Sequence, residues 1–550
     1  MFSRTNLYRF SLLFTLLGTM GFLINAKELI HISGLLLLSL LFMIIPAVLI
    51  ALNWDTYHLT KIQSLFLVIV PLIFLNYIYY ITMGLPVGFT DVYSHMLQCQ
   101  QSVNLDGVIQ FSERLSFNFV ALYIIFNFLM ATSNLNIMTL ASIIPPFFNL
   151  IIIVTVYLLV KKLHSHKVAL IAMLFYGWEN QTLIFGHEFR TQTLGTLLLL
   201  MALFIGYSNF KKSSSTIILI IILFSSAMSS FVSIFFTSVV FFVMLVTSTI
   251  VGSASKWQKT TELMTWRLLG LYLISCLFYI KFISGEFNNL IYTIRTLFNQ
   301  MLKNTEATKF SGNQLVQATG EALYGNVVQI SSYVLWGLFL LFSMFYLVMI
   351  LTEKKRDNLK FFASFSALLL CTFINIFTGV LSLGRLYTIA FILIATTLAC
   401  GLFKLQDISK KTQFKYASKI FTITIILGFV IVSIMKLPNY IIGETNPIRS
   451  ETPIDFVTYW NSDILQYSVN EFISSYAPNQ FLYIYVPIQN YLLLQQKRKN
   501  IVGGEKLSIL QDKFYGDNYT YRDQILKYQM FKNFDKIYSN KDYIVGIEPL

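Results

Sequence analysis

Long apolar runs, separated by short loops rich in lysine and arginine, constrain the fold of this chain more than any other feature. A helix needs about 17–25 predominantly apolar residues to cross the hydrocarbon core of a bilayer. The first runs of that length are Phe10–Ala26, Leu29–Leu52 and Gln63–Thr82. Because backbone polar groups inside a bilayer must be hydrogen-bonded within their own segment, each run is predicted to be a transmembrane helix.

Composition and charge exclude several other classes of protein. Of the 550 residues, 56% are hydrophobic and 12% are charged, whereas soluble domains carry about a quarter charged residues. The net charge of +14 does not indicate a nucleic-acid partner, because the basic residues lie in short loops between apolar runs, as they do on the cytoplasmic side of membrane proteins. The four cysteines show no paired spacing, so neither a disulfide framework nor a cysteine metal site is expected.

The basic residues also predict the sidedness of the chain. Arg4 and Arg9 precede the first run, so the N-terminus is predicted to be cytoplasmic. Two apolar runs follow the third span, Leu115–Thr132 and Ile137–Val160, and the basic segment after them, Lys161–Lys167, must lie inside. Only one of the two runs can then cross. We expect Ile137–Val160 to cross and Leu115–Thr132 to be re-entrant or interfacial.

The remaining basic loops predict a regular series of crossings. Each pair of runs between two such loops must cross outward and back. After the first three, the predicted spans are Ile137–Val160, two in Val168–Phe210, two in Thr216–Val251, Trp266–Ile283, Ile330–Leu351, Phe361–Val380, Leu386–Phe403 and Ile420–Leu437. We therefore expect about 13 transmembrane helices in residues 1–437, with an outer loop at 83–113 and an extracytoplasmic C-terminus.

The tail, residues 438–550, has a different character. It mixes charges of both signs, and strand-like runs occur at Phe481–Val486 and Tyr543–Ile547 after a polar, helix-like stretch at Ser462–Tyr476. A segment of about 110 residues is long enough to hold its own core. The predicted fold class is thus a polytopic α-helical membrane protein with a small C-terminal extracytoplasmic α/β domain.

The outer loop at 83–113 carries the first candidate site. Asp91 and His95 are four residues apart, a spacing that places both on one face of a helix. Val92, Met96 and Cys99 lie on another face, as in an amphipathic helix on a membrane surface. This pattern predicts a water-facing acid–base pair held against the bilayer. The structural alternative is that Asp91 only caps the helix and His95 is an ordinary surface residue.

Five further ionisable residues are predicted on the same side as that loop. Ionisable groups close to the membrane are costly and often functional. Arg385 lies in the predicted short turn Leu381–Arg385, and an arginine there is suited to binding phosphate; the alternative is an interfacial side chain that reaches for water. Arg190 has a similar alternative as a simple membrane anchor. The candidate substrate-binding residues are Glu179, His187, Glu188, Arg190 and Arg385.

Several passages resemble the GT-C superfamily of membrane glycosyltransferases, which use polyprenyl-phosphate-linked sugars. VYLLVKKLHSHKVALIAMLFYG (Val156–Gly177) is similar to the family's span, basic loop and span. HEFRTQTLGTLLLL (His187–Leu200) looks like the start of the following helix, and GRLYTIAFILIA (Gly384–Ala395) resembles the late helix that carries an arginine. The layout of residues 63–437 as a whole is similar to that family.

The resemblance implies a function for individual residues. Asp91 matches the loop acid that serves as catalytic base, with His95 beside it, and Arg385 matches the arginine that holds the donor phosphate. It implies a multi-pass enzyme of the cell membrane that transfers a sugar from a polyprenyl-phosphate donor to a glycan or protein acceptor in cell-envelope or polysaccharide assembly. The loop offers one carboxylate instead of a paired Asp-x-Asp, so a divalent metal is possible but not supported. No other cofactor is predicted. The tail also lacks the tryptophan-rich acceptor motif of oligosaccharyltransferases.

Other functions remain open at this point. A polysaccharide polymerase or ligase would need its catalytic groups in a large late loop, for which Ser284–Gln329 is the candidate. A transporter or flippase of lipid-linked glycans predicts charged residues in mid-span and paired broken helices, and neither pattern is evident. A non-enzymatic membrane scaffold with an outer domain is the third alternative.

Overall fold

The structure is a computed structural model of the whole chain. The described residues are 4–25, 34–52, 60–77, 95–96, 99, 119–135, 137–179, 182–183, 186, 189–208, 212–252, 265–284, 287, 291, 295, 325–378, 383–409, 414–445, 481–484, 506–511, 535–539 and 543–547.

Long helices follow one another along the membrane part of the chain. They are α1 (Arg4–Asn25), α2 (Gly34–Leu52), α3 (Lys61–Asn76), α4 (Ala121–Ser133), α5 (Ile137–Leu163), α6 (His166–Trp178), α7 (Thr191–Tyr207), α8 (Lys212–Ala227), α9 (Phe231–Gly252), α10 (Trp266–Phe278, continued by a π-turn at Tyr279–Ile283), α11 (Gly325–Glu353), α12 (Arg356–Thr378), α13 (Leu383–Ser409) and α14 (Lys415–Thr445).

A helix occupies every predicted span, so the chain is a polytopic α-helical membrane protein. Among the described residues, six helices are long and apolar enough to cross a bilayer. Those segments are Thr139–Leu163, Phe231–Val251, Trp266–Ile283, Tyr333–Glu353, Tyr387–Ser409 and Tyr416–Ser433. The number of crossings and the side on which each terminus lies stay predictions.

Polar residues at the helix ends account for several boundaries. Thr60 starts α3 with a capping box, in which its hydroxyl accepts from the backbone N–H of Gln63 (3.2 Å) and its own N–H donates to the Gln63 side chain (3.0 Å). Ser165 caps α6 and Thr265 caps α10 in the simpler way. The left-handed backbone of Lys354, with φ of 49°, makes the tight turn from α11 to α12.

Helix α6 forms the centre of the bundle. Every residue from Val168 to Trp178 is buried, and the helix packs mainly against α5 and α13, with α3, α2 and α14 around it. The outer helices expose apolar side chains instead. On α11, Leu340, Met344 and Val348 lie at four-residue spacing and are all exposed. Such an apolar stripe is suited to contact with lipid tails.

The segment predicted to be re-entrant forms the short helix α4. Its 13 residues give a length of about 20 Å, at 1.5 Å per residue. The hydrocarbon core of a bilayer is about 30 Å thick, which corresponds to about 20 helical residues. Helix α6, which is predicted to cross, also has 13 residues, so length does not separate the two, and the non-crossing of Leu115–Thr132 stays a prediction.

The described residues of the outer loop pack differently from the prediction. Met96 and Cys99 are buried in one apolar cluster with Tyr123 and Phe126 of α4, so this face of the loop lies on protein and not on the membrane surface. A water-facing His95 is also wrong, because His95 is 8% exposed. An amphipathic pattern gives the buried face of a helix, but not the partner that covers it.

The starts of α13 and α11 are two of the helix boundaries that differ from the prediction. Leu381–Arg385 was expected to be a turn, but α13 begins at Leu383 and therefore includes Gly384 and Arg385. Helix α11 begins at Gly325, five residues before the expected Ile330. Both helices extend past their apolar runs because polar residues at a helix end can still complete a turn.

The tail contains a small mixed sheet. Its strands are β1 (Phe481–Ile484), β2 (Lys506–Gln511), β3 (Asp535–Ser539) and β4 (Tyr543–Ile547), in the order β1-β2-β4-β3. β1 and β2 are parallel, whereas β4 is antiparallel to both of its neighbours. The two strand-like runs are thus confirmed as β1 and β4. The expected helix at 462–476 lies outside the described residues, and the outer location of the tail stays a prediction.

Candidate functional site

A polar cavity lies between α5, the connection from α6 to α7, the start of α7, and α13. Its enclosed part is small, and the rest is open to solvent. Hydroxyl and amide side chains form most of its wall, and Arg190 is the cation among them. The lining residues are Asn149, Ile152, Tyr176, Thr182, Gly186, Arg190, Gln192, Thr193, Thr196 and Thr388.

Arg190 is placed in this cavity by the way α7 begins. It is the residue that precedes the first turn of α7, and its side chain is half-buried. The free N–H groups of a helix N-terminus and its dipole favour negative charge. The first turns of α7 then add the amide of Gln192 and the hydroxyls of Thr193 and Thr196. This arrangement offers one fixed positive charge and several hydrogen-bonding groups to an anion.

A pair of buried amides fixes the opposite wall. Asn149 of α5 donates its side-chain N–H to the side-chain carbonyl of Asn76, the last residue of α3, at 2.6 Å. Asn76 in turn donates to the carbonyl of Leu72 (2.8 Å). Gly186 lies directly on Asn149, since a Cβ at Gly186 would come within 2.5 Å of Asn149 Oδ1. The absence of a side chain there allows the α6–α7 connection to cover the amide pair.

Glu179 stands next to the cavity at the end of α6. It is 4% exposed, and its carbonyl accepts from the hydroxyl of Thr182 (2.7 Å) and from the N–H of Leu183 (3.0 Å). The carboxylate is close enough to Tyr387 of α13 to interact with it electrostatically. Because Thr388 lines the cavity, Glu179 and the start of α13 belong to the same neighbourhood.

His95 belongs to the wall beyond Arg190. Its Nδ1 is 2.6 Å from the hydroxyl of Tyr123 on α4. Burial first, and then the positive charge of Arg190, lowers the pKa of His95 to about 3, so the imidazole is neutral at pH 7. The rings of Phe126 and Phe189 meet edge to face at 4.5 Å. Since Phe189 directly precedes Arg190, this contact ties the start of α7 to the same wall.

The structure brings together three of the predicted site residues and leaves others undecided. Arg190 lines the cavity, Glu179 is next to it, and His95 is near enough to Arg190 for a charge interaction. For Arg385 the structure gives the backbone position in the first turn of α13, three residues before Thr388. Asp91, His187 and Glu188 lie outside the described residues.

Most of the uncharged residues that line the cavity were not predicted from the sequence. Asn149, Thr193, Thr196 and Thr388 are buried polar residues inside apolar helices. A polar side chain at membrane depth needs a partner or a function. The spacing of Thr193 and Thr196, three apart after Arg190, places them on one face of α7. Tyr123 gave no sequence signal, because a tyrosine in an apolar run is an ordinary core residue.

Comparisons with known proteins give structural but not sequence matches. No protein-family model and no curated protein matches the chain. It is similar to the structure of ArnT from Cupriavidus metallidurans bound to undecaprenyl phosphate, with 11% identity over 88% of this chain and 97% of that one, at a TM-score of 0.49. It is also similar to the archaeal oligosaccharyltransferase AglB from Archaeoglobus fulgidus in complex with an inhibitory peptide and a dolichol-phosphate, with 11% identity over 74% of this chain and a TM-score of 0.42. The alignment spans 56% of AglB.

Proposed function

We propose that this chain is a membrane glycosyltransferase that takes a sugar from a polyprenyl-phosphate-linked donor. The observation that supports this most is Arg190, half-buried at the N-terminus of α7 in a polar cavity within an apolar bundle. A lipid phosphate needs an apolar body for its chain and a fixed positive charge for its head. Both are present here in one molecule.

In this proposal Arg190 and the start of α7 bind the donor phosphate, and Arg385 contributes a second charge. Position 385 is three residues before Thr388, so the two share a face of α13. Thr193, Thr196 and Asn149 provide hydroxyl and amide groups suited to a sugar. The polyprenyl chain then lies along the apolar exterior of the helices.

The proposed reaction needs a base but no acid. An acceptor hydroxyl attacks the anomeric carbon, its proton goes to the Asp91 carboxylate, and the bond from the anomeric carbon to the phosphate oxygen breaks. The electron pair of that bond stays on the phosphate, whose added charge Arg190 and Arg385 stabilise. His95 is neutral and hydrogen-bonded to Tyr123, so we assign it to positioning of the loop that carries Asp91.

Donor binding by Arg190 variants tests the proposal. Arg190→Gln should weaken binding of a polyprenyl phosphate roughly 10- to 100-fold, the range expected for one charge-assisted hydrogen bond of about 1.5–3 kcal/mol. Arg190→Lys keeps the charge but not the two-pronged geometry, and should fall in between. Binding of the uncharged polyprenol should be unchanged in all three proteins. Equal binding of the phosphate by Arg190→Gln would refute the role of Arg190.

Asp91→Asn separates transfer from binding and from transport. Loss of a positioned base typically costs about 10²–10⁴-fold in rate, so sugar transfer should fall by that amount while donor binding stays intact. A flippase of lipid-linked glycans would still move its cargo in this variant, because transport requires no base. Full sugar transfer by Asp91→Asn would show that this carboxylate only caps a helix.

A further inference from the structure

A group of lysines at the other end of α3 and α5 is not used by the proposed reaction. Lys61 is the first residue of α3, and Lys161 and Lys162 are in the last turn of α5. All three side chains are exposed. None of them forms an ion pair with any carboxylate that the structure describes. Three positive charges are thus concentrated without a described negative partner.

His166 links the two helix ends that carry Lys61 and Lys161. Its Nε2 is 2.9 Å from the hydroxyl of Ser64 on α3, and its Nδ1 is 2.7 Å from the hydroxyl of Tyr157 on α5. Both Lys61 and Lys161 are near enough to this imidazole to act on it electrostatically. The ammonium group of Lys161 also lies 5.4 Å from the centre of the Tyr157 ring. Their mutual repulsion at this point would be relieved by an anion between them.

An apolar surface adjoins the lysines. Ile62 and Phe66 are 79% and 46% exposed, and their four-residue spacing places both on one face of α3. Ile62 directly follows Lys61. The surface therefore offers positive charge at the end of the helix and apolar contact along it, which matches the head and tail of a lipid.

This surface is separate from the cavity that contains Arg190. Asn76, which binds Asn149 beside that cavity, is at the opposite end of α3 from Lys61. The fifteen residue steps from Lys61 to Asn76 correspond to about 22 Å of helix. Lys161 is likewise about 18 Å along α5 from Asn149. A ligand at the lysines cannot reach the cavity with its head group.

We propose that Lys61, Lys161 and Lys162, together with the exposed Ile62 and Phe66, form a binding site for an anionic phospholipid. The phosphate of the head group lies between the lysines, and an acyl chain lies along Ile62 and Phe66. The site is independent of the proposed glycosyltransferase activity. It also does not depend on which side of the membrane this end of the bundle faces.

The test measures lipid binding by the full chain in zwitterionic nanodiscs and by native mass spectrometry. The probe is phosphatidylglycerol, with phosphatidylcholine as the reference lipid. The variant is Lys61→Gln/Lys161→Gln. The control is Lys404→Gln/Lys419→Gln, which removes the same charge from two other described lysines without an ion pair to a described carboxylate. We expect about 30-fold weaker phosphatidylglycerol binding in the first variant, which corresponds to about 1 kcal/mol per lysine, and little change in the control.

Three results would overturn the proposal. The first is unchanged phosphatidylglycerol binding by Lys61→Gln/Lys161→Gln with a normal unfolding temperature in phosphatidylcholine. The second is an equal loss in the control, which would mean a response to total charge alone. The third is equal stabilisation of the wild-type chain by inorganic phosphate, which would mean that a free anion and not a lipid is bound. A variant Ile62→Gln/Phe66→Gln that loses affinity for the long-chain lipid, and not for its short-chain form, would support the acyl-chain contact.

Discussion

The hydrogen bond between Tyr123 and His95 predicts how firmly the outer loop is held on α4. Tyr123→Phe removes the hydroxyl that lies 2.6 Å from His95 Nδ1 and changes little else. Tyr123 is 0% exposed and His95 is 8% exposed, so water cannot readily replace the lost partner. Removing one partner of a buried polar group costs about 1–3 kcal/mol.

The cost should appear locally and not as global unfolding. Asn127 of α4 still donates to the carbonyl of Cys99 (2.9 Å), so the loop keeps a second attachment. We expect the free energy of local opening around His95–Cys99 to fall by about 1–3 kcal/mol, and amide exchange there to rise roughly 5- to 100-fold. Hydrogen–deuterium exchange with mass spectrometry on a peptide that covers these residues measures this directly.

Tyr279→Phe is the matched control. Tyr279 is also buried, at 2% exposure, and the hydrogen bond that its hydroxyl accepts from the N–H of Val120 is long, at 3.4 Å. Its loss should change exchange at His95–Cys99 by less than about 5-fold, because long hydrogen bonds are weak. Unchanged exchange in Tyr123→Phe, or the same increase in both variants, would refute the role of the Tyr123 hydroxyl.

Three other predictions follow from packing, charge and the predicted topology. Gly195→Ala should destabilise the chain by about 1–3 kcal/mol, because the new Cβ would lie 2.5 Å from Ser233 Cβ. Gly206→Ala on the same helix should leave stability unchanged, because no atom lies within 4 Å of its new Cβ. Thermal unfolding of both variants measures the difference. The free energy of unfolding should fall as the pH drops from 6.5 toward 3, because unfolded His95 takes up a proton near pH 6.5 whereas folded His95 has a pKa of about 3. His95→Asn should reduce the dependence of this free energy on pH by up to about 1.4 kcal/mol per pH unit. Denaturant titration at several pH values measures it. Ser133→Cys, at the exposed end of α4, should react with an impermeant thiol reagent in intact cells, and reaction only after lysis would contradict the topology.

The helices of the membrane part were predictable because their cause is local. A long apolar run needs internal hydrogen bonds, and that requirement does not depend on what surrounds it. The prediction that α4 does not cross depends on the basic loop after α5, and it stays a prediction. The first and last strands along the chain, β1 and β4, were also predicted. β2 and β3 were missed, since Lys506–Gln511 and Asp535–Ser539 carry polar residues that only pairing with neighbouring strands makes strand-like.

The site was less predictable because it depends on contacts between distant segments. The prediction that His95 is exposed was wrong, because His95 is covered by Tyr123 of α4, which lies outside the loop at 83–113. The sequence of the loop alone contains no signal for that contact. Asn149 and Thr388 are single polar residues in apolar runs and have no spacing pattern, yet packing brings both to Arg190. Arg190 itself was identified from its charge beside a span. Charged residues of the site could therefore be identified from the sequence, whereas the uncharged residues that line the cavity could not.

A structure of the chain with a bound polyprenyl phosphate tests the central proposal most directly. It should place a phosphate oxygen at charge-assisted hydrogen-bond distance, about 2.7–2.9 Å, from a guanidinium nitrogen of Arg190. The phosphate should lie at the start of α7, with Thr388 of α13 on the same cavity wall. A phosphate bound elsewhere, with Arg190 free of contact to it, would contradict the proposed donor site.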